Sequence, residues 1–323
     1  MRQIVTADIG GTHARFALAV LGDGQVAELG TPAVLRTNDY PSFQAAWGEF
    51  GRRCGAELPR ELAIAFAGPV SGDHLQLTNS SWAVSSDQLR RTLGLETLQI
   101  VNDFGAVAHA VAALDADSFT HLCGPDQSLA REGVITVLGP GTGLGVALLH
   151  RGADSSYEVI ETEGGHIAFA PLDTVEDQIL AELRAKFGRV SIERVVSGPG
   201  LLNIYEALGA PEQRLPAMRS DREVWTAALE GTGTLAAAAL ERFCLCLGAV
   251  AGDLALTHGA SGVVIGGGIG QRLAGYLQSS GFSHRFTAKG RFKQHLSETP
   301  VQLITHPEPG LLGAAAAFAR VNS

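Results

Sequence analysis

A chain of 323 residues exceeds the usual size of a single hydrophobic core, so two domains are the default expectation. Its charged fraction of 18 % and hydrophobic fraction of 46 % are those of an ordinary soluble globular protein, and a net charge of -9 repels a nucleic-acid backbone, which excludes nucleic acid as a partner. No uninterrupted apolar run reaches the ~18 residues a membrane helix needs, and a strand from Gln3 leaves no room for a signal peptide, so neither a membrane nor export is expected.

In chain order, strands and helices alternate. Gln3 to Asp8 and Arg15 to Leu21 form a predicted hairpin around Gly10-Gly11-Thr12. Tyr40-Pro41 opens a helix to about Cys54, proline being tolerated in a first turn. Leu62 to Ala67 is an apolar strand ended by Gly68-Pro69, and Ser85 or Ser86 caps a short helix to Leu93. The strand Leu98 to Val101 leads through Asn102-Asp103 into an Ala/Val-rich helix from Phe104 to about Leu114. The second half repeats the plan with strands at Val134 to Leu138 and Leu144 to Leu149. A helix from Val175 to Phe187 stops at Gly188, and a long one spans roughly Thr234 to Thr257. Strand Gly262 to Ile265 runs into Gly266-Gly267-Gly268, and Gln302 to Thr305 leads to a last helix from Gly310 to about Val321. The alternation makes an α/β protein whose ligands sit outside the strand ends.

Two glycine turns carry the chemistry. Asp8-Ile9-Gly10-Gly11-Thr12 and Gly139-Pro140-Gly141-Thr142-Gly143 each lie between apolar runs. Glycine amides approach an anion closely because no Cβ intervenes, successive N–H groups form an oxyanion nest, and threonine adds a hydroxyl donor. Gly10-Gly11 alone reads equally well as a hairpin turn; the recurrence of the device favours two halves facing one phosphate ligand. A carboxylate at Asp8 repels phosphate unless a cation or a moving proton lies between them, and magnesium is the natural mediator.

Other nucleotide motifs are absent. A Walker loop needs Gly-Lys, which occurs nowhere, and the Rossmann pattern would require glycine at Gln271. Asp103-Phe104-Gly105 matches the protein-kinase magnesium motif by letter only, without its companion loops. Cys54, Cys123, Cys244 and Cys246 are scattered, with no Cys-x-x-Cys pair, which points to a reducing, cytoplasmic compartment and disfavours zinc.

Asp8-x-Gly10-Gly11-Thr12-x-x-Arg15, Gly139-x-Gly141-Thr142-Gly143-x-Gly145 and Gly266-Gly267-Gly268 resemble the two phosphate motifs and the adenosine motif of the actin-like ATPase superfamily, whose fold is ribonuclease H-like. Val101-Asn102-Asp103-Phe104, Glu163-Gly164-Gly165-His166, Ser191-Ile192-Glu193-Arg194, Ser197-Gly198-Pro199-Gly200 and Pro309-Gly310-Leu311-Leu312-Gly313 narrow the resemblance to the bacterial glucokinases outside the ROK group, whose zinc cysteines are missing here. It covers essentially the whole chain; His13, where asparagine is expected, is its one noted departure.

The resemblance implies Mg-ATP-dependent phosphorylation of glucose, with a kinase for mannose, fructose or an N-acyl hexosamine, or a non-enzymatic sugar sensor, as alternatives. It implies ATP held by Asp8, Gly10, Gly11, Thr12, Gly141, Thr142, Gly143, Gly266, Gly267 and Gly268, with Mg2+ on Asp8 through water. Asn102, Glu163, His166 and Glu193 would hold the sugar and Asp103 would act as base. By composition alone Asp103 reads as a helix N-cap, Glu163 to His166 as a polar turn and Glu193 as an exposed helix face. Expected too are a small domain over residues 1–110 completed by the helix at 310–323, a large domain over 111–309, closure of the cleft around glucose, and a homodimer. ATP and polyphosphate are not distinguished as donors, since the loops cradle phosphate without declaring the base.

Overall fold

The computed structural model describes residues 1–68, 74–76, 82–154, 156–209 and 218–322. Pro69, read as closing a strand, lies outside them. The first part of the chain forms β1 (Arg2–Ile9), β2 (His13–Gly22), β3 (Gln25–Leu29), β4 (Ala33–Arg36), α1 (Phe43–Cys54), β5 (Glu61–Phe66), β6 (His74–Gln76), β7 (Ala83–Ser85), α2 (Ser86–Leu93), β8 (Thr97–Asn102) and α3 (Asp103–Ala113). There follow β9 (Phe119–Cys123), β10 (Gly133–Pro140), β11 (Leu144–Arg151), β12 (Tyr157–Thr162), α4 (Thr174–Phe187), α5 (Gly198–Gly209), α6 (Asp221–Glu230) and α7 (Thr234–His258). The last elements are β13 (Gly262–Ile265), α8 (Gly267–Arg272), α9 (Ala274–Leu277), α10 (Phe282–Thr287), α11 (Lys293–Ser297), β14 (Val301–Ile304) and α12 (Pro309–Val321).

These elements fall into two compact units, one of Met1–Asp115, Val159–Glu161 and His306–Ser323, the other of Ala116–Glu158 and Thr162–Thr305. In the first, the sheet runs β3-β2-β1-β5-β8 with β4 also on β2. The β1–β2 pair is antiparallel and β1, β5 and β8 are parallel, in a register that brings Ile9, Phe66 and Asn102 level. One sheet face buries aromatic side chains, with Phe16 stacked 5.4 Å from Phe50. On the other face, small side chains let α3 and α12 approach backbone to backbone: a Cβ on Gly313 would overlap the Ala106 carbonyl.

The second unit repeats this plan. Its sheet runs β12-β11-β10-β13-β14-β9, although Val159–Glu161 of β12 group with the first unit, with β10–β11 antiparallel and β10, β13 and β14 parallel, bringing Leu138, Ile265 and Leu303 level. Its core surrounds α7, whose 25 residues are long and apolar enough to cross a membrane by composition. Two thirds (67 %) of its most apolar window is instead buried among the unit's own side chains, and the helix as a whole is interrupted by Glu241, Arg242 and Asp253. Cys123, Cys244 and Cys246 are buried, and burial pushes the Cys123 and Cys244 thiols up to about 11 and about 12, leaving them inert.

Two local expectations need correction. Pro41 does not open α1: Ser42 is its N-cap, with its hydroxyl accepting from the Ala45 amide, because a side-chain acceptor satisfies a first-turn N–H that proline leaves unaided. Asp103 is not the cap of α3; that role belongs to Asn102, and Asp103 is the first helical residue.

Candidate active site

In the first unit, the level ends of β1, β5 and β8 place the Gly10-Gly11-Thr12 turn and Asn102-Asp103 along one edge, two strand spacings or roughly 10 Å apart. The turn closes on itself through the Gly10 amide, which donates to His13 O at 2.9 Å. Thr37, buried behind it, donates its hydroxyl to Gly11 O at 2.7 Å and its amide to Thr12 O at 3.1 Å. Thr12 is left exposed at the tip.

Asp8 and Arg15 face each other across the hairpin, 3.5 Å apart, and Arg15 also lies 3.4 Å from Glu308, which precedes α12. Burial pushes the Asp8 carboxyl above its ordinary range by more than Arg15 pulls it down. Burial likewise raises Glu308, opposed by Arg15 and reinforced by the Asp8 charge. Gly310 leaves room for this side chain, since a Cβ would come within 2.8 Å of the Asp8 carboxyl. Desolvation and the charges of Arg15 and Arg36 lower His13 from its ordinary value, which favours the neutral ring.

At the other end of this edge, Asn102 Oδ1 accepts from the Phe104 and Gly105 amides at 2.9 and 3.1 Å, and its Nδ2 donates to Gly68 O at 3.2 Å. One Nδ2 hydrogen remains for a ligand. Asp103 Oδ1 accepts from the Phe104 amide at 2.9 Å. The Asn102 amide donates to Glu161 Oε1 at 2.7 Å. The Glu161 tip packs on Gly105, and its carboxyl is raised by that burial and lowered by the Asn102 bond.

In the second unit, the Gly141 amide closes the corresponding turn on Gly143 O at 2.8 Å, and Thr142 is exposed at its tip as Thr12 is. Glycine serves two purposes here. Gly139 and Gly267 allow backbones to touch, a Cβ on either overlapping the Gly266 carbonyl or coming within 2.6 Å of Pro140 O, whereas Gly141 and Gly268 face open space. Gly143 makes room for Glu193, whose Oε2 accepts from the Leu144 amide at 3.0 Å.

Glu163 to His166 form a short turn on the same strand start, Gly165 against Leu144 O and Gly164 against Val146. The Glu163 and His166 side chains are more than half exposed and 3.7 Å apart. The Ile192 amide donates to Ile167 O at 2.9 Å, joining this turn to that of Glu193, which is a half-buried 3-10 turn rather than an exposed helix face. The second unit thus gathers Gly141–Gly143, Gly266–Gly268, Glu163, His166 and Glu193 at one end of its sheet, and the first gathers Asp8, Gly10–Thr12, Asn102 and Asp103.

A model of the glucokinase family matches residues 5–321. The chain belongs to the glucokinase family. Its similarity to the Zymomonas mobilis glucokinase is 57 % identity over 99 % of both chains. Among solved structures, a glucokinase from an Antarctic psychrotroph shares 34 % identity and a TM-score of 0.84 over 100 % of both chains. A ROK family glucokinase from Streptomyces griseus, solved with glucose and AMPPNP, shares the fold at TM-score 0.66 and 20 % identity, over 99 % of this chain and 100 % of that one. The α/β actin-like ATPase fold implied by the motifs is therefore the fold of this family member.

Thr37, Glu161 and Glu308 were missed from sequence. Each lies far along the chain from the group it contacts, and no local spacing marks it.

Proposed function

We propose that this protein transfers the γ-phosphoryl group of ATP to the 6-hydroxyl of D-glucose. The 57 % identity to a glucokinase over 99 % of both chains carries the reading, and the residues gathered in each unit support it. Asp103, fixed at the start of α3 by its capping neighbour, takes the proton of the 6-hydroxyl. The O6–Pγ bond forms as the bond from Pγ to the bridging oxygen breaks, and ADP leaves with that electron pair. Asn102 donates its remaining Nδ2 hydrogen to the sugar, and Glu163, His166 and Glu193 accept from or donate to its other hydroxyls. A mismatched epimer leaves such groups unpaired, so glucose is preferred to mannose and fructose.

Because the Gly10 and Gly141 amides close their own turns, phosphate falls to the amides and hydroxyls of Gly11, Thr12, Thr142 and Gly143. The Gly266–Gly268 backbone, bare at Gly268, receives the adenosine. Asp8 fits a magnesium site of the kind that uses one carboxylate with phosphate and water: among the described residues no cluster of three or more acidic, His or Cys side chains competes for a metal. A bound magnesium ion would neutralise charge on the β- and γ-phosphates. A homodimer and a cytoplasmic location complete the proposal.

The test is sugar-stimulated ADP release with glucose, mannose, fructose and N-acyl hexosamines, each with ATP or polyphosphate. Glucose with ATP should give the highest kcat/KM. No sugar-stimulated release at all would make the protein a non-catalytic binder, and equal values across the sugars would refute the specificity.

A further inference from the structure

The β8–α3 junction is held from outside its own sheet. Asn102 uses its side chain to cap α3, which leaves its backbone N–H as the handle by which the junction can be fixed, and that N–H goes to the Glu161 carboxylate at 2.7 Å, 59 residues away in sequence. Gly105, in the first turn of α3, is shaped for the same contact, since a Cβ there would stand 2.6 Å from Glu161 Oε1 and 2.8 Å from its Cγ. Glycine is otherwise a poor choice inside a helix. Two separate features, an anionic acceptor for the Asn102 amide and a missing side chain at Gly105, therefore serve one bond, and Asp103 and Phe104 lie between those two positions.

We propose that Glu161 is a positioning residue for the phosphoryl transfer: its hydrogen bond from the Asn102 amide, admitted by Gly105, sets the direction in which α3 presents the Asp103 carboxylate to the sugar hydroxyl. The inference rests on the reading of Asp103 as base. Glu161 takes no part in proton transfer; it acts through the backbone. Glu161 also stands two residues before Glu163 in sequence.

The test is a set of four variants assayed with glucose and ATP, alongside the amide proton shift of Asn102 by NMR. Glu161→Ala should lower kcat about tenfold with the ATP KM unchanged, and should move the Asn102 amide proton upfield as its acceptor is lost. Glu161→Gln keeps an acceptor oxygen at the same reach and should recover kcat to within about threefold of wild type. Glu161→Asp keeps the charge but falls short by one methylene, and should resemble the alanine variant.

Gly105→Ala is favoured by helix propensity and should still lower kcat by displacing Glu161, with no fall in melting temperature. Wild-type kinetics in Glu161→Asp and Gly105→Ala, an unmoved Asn102 amide in Glu161→Ala, or a glutamine variant as impaired as alanine would overturn the proposal. A wild-type protein inactive on every sugar would instead overturn the kinase reading, leaving the NMR result to decide the contact on its own.

Discussion

The two glycine hairpins share a topology and even a burial pattern, with an exposed threonine at each tip, yet their surroundings differ in kind. Charge crowds the first: Asp8, Arg15 and Glu308 form a chain of contacts, and His13 lies between two arginines. The second is built from bare backbone, Gly139, Gly141, Gly143 and Gly267, with Glu193 as the carboxylate folded against it. One layout has been fitted to ionic chemistry at one end and to close backbone approach at the other. The difference also extends to the third parallel strand, which in the first unit delivers Asn102 and Asp103 into α3.

The comparison breaks first at Asp103. Asp103→Asn should reduce kcat by at least ~10²-fold with an unchanged melting temperature, as general-base removal does; near-normal turnover would mean the first unit carries no proton acceptor there. Next in size is Gly139→Ala, which drives a methyl group into the Gly266 carbonyl with no flexible side chain to yield, and should cost roughly 3 kcal/mol in denaturant unfolding. A variant as stable as wild type would show that the second unit does not depend on backbone contact.

Acid should weaken the first unit through His109. Burial holds this histidine down to about 4 in the folded chain against 6.5 unfolded, so the unfolded chain binds the extra proton between those values. Stability should therefore fall as pH drops from 6.5 toward 4, by roughly 2–3 kcal/mol from this group. Melting temperature against pH should flatten in His109→Gln relative to wild type. Smallest in stability is Gly141→Ala, whose added methyl meets nothing within 4 Å. Unfolding should change by less than ~0.5 kcal/mol. Nucleotide KM should nevertheless rise several-fold, because the methyl crowds phosphate off the neighbouring Thr142 and Gly143 amides although the Gly141 amide itself is spent on its turn. That separates a glycine kept for ligand approach from one kept for packing.

The hairpins, β5, β8, β13 and the long helices were legible because apolar runs end at glycine or at a capping residue. The strands β3 and β12 were not, since they are short runs of mixed polar and apolar residues that are only partly buried. Helix α5 was hidden by its Gly198-Pro199-Gly200 start, which reads as a breaker although proline suits a first turn. Within the site, glycine turns and acidic residues announced themselves by local pattern. Asn102 as cap was misread because Asn-Asp offers two equivalent caps, and only the backbone decides between them. The Arg15–Glu308 contact joins residues at opposite ends of the chain, which no spacing rule reports.

The last helix belongs to the first unit, where Thr6 donates its hydroxyl to Leu311 O at 2.7 Å and α12 lies against α3. During synthesis the opening sheet must therefore wait for residues from Pro309 onward, made well after its own last strand β8. At roughly 5–20 residues per second that interval is tens of seconds. Until then the nascent chain carries an alanine-lined face that α12 has yet to cover.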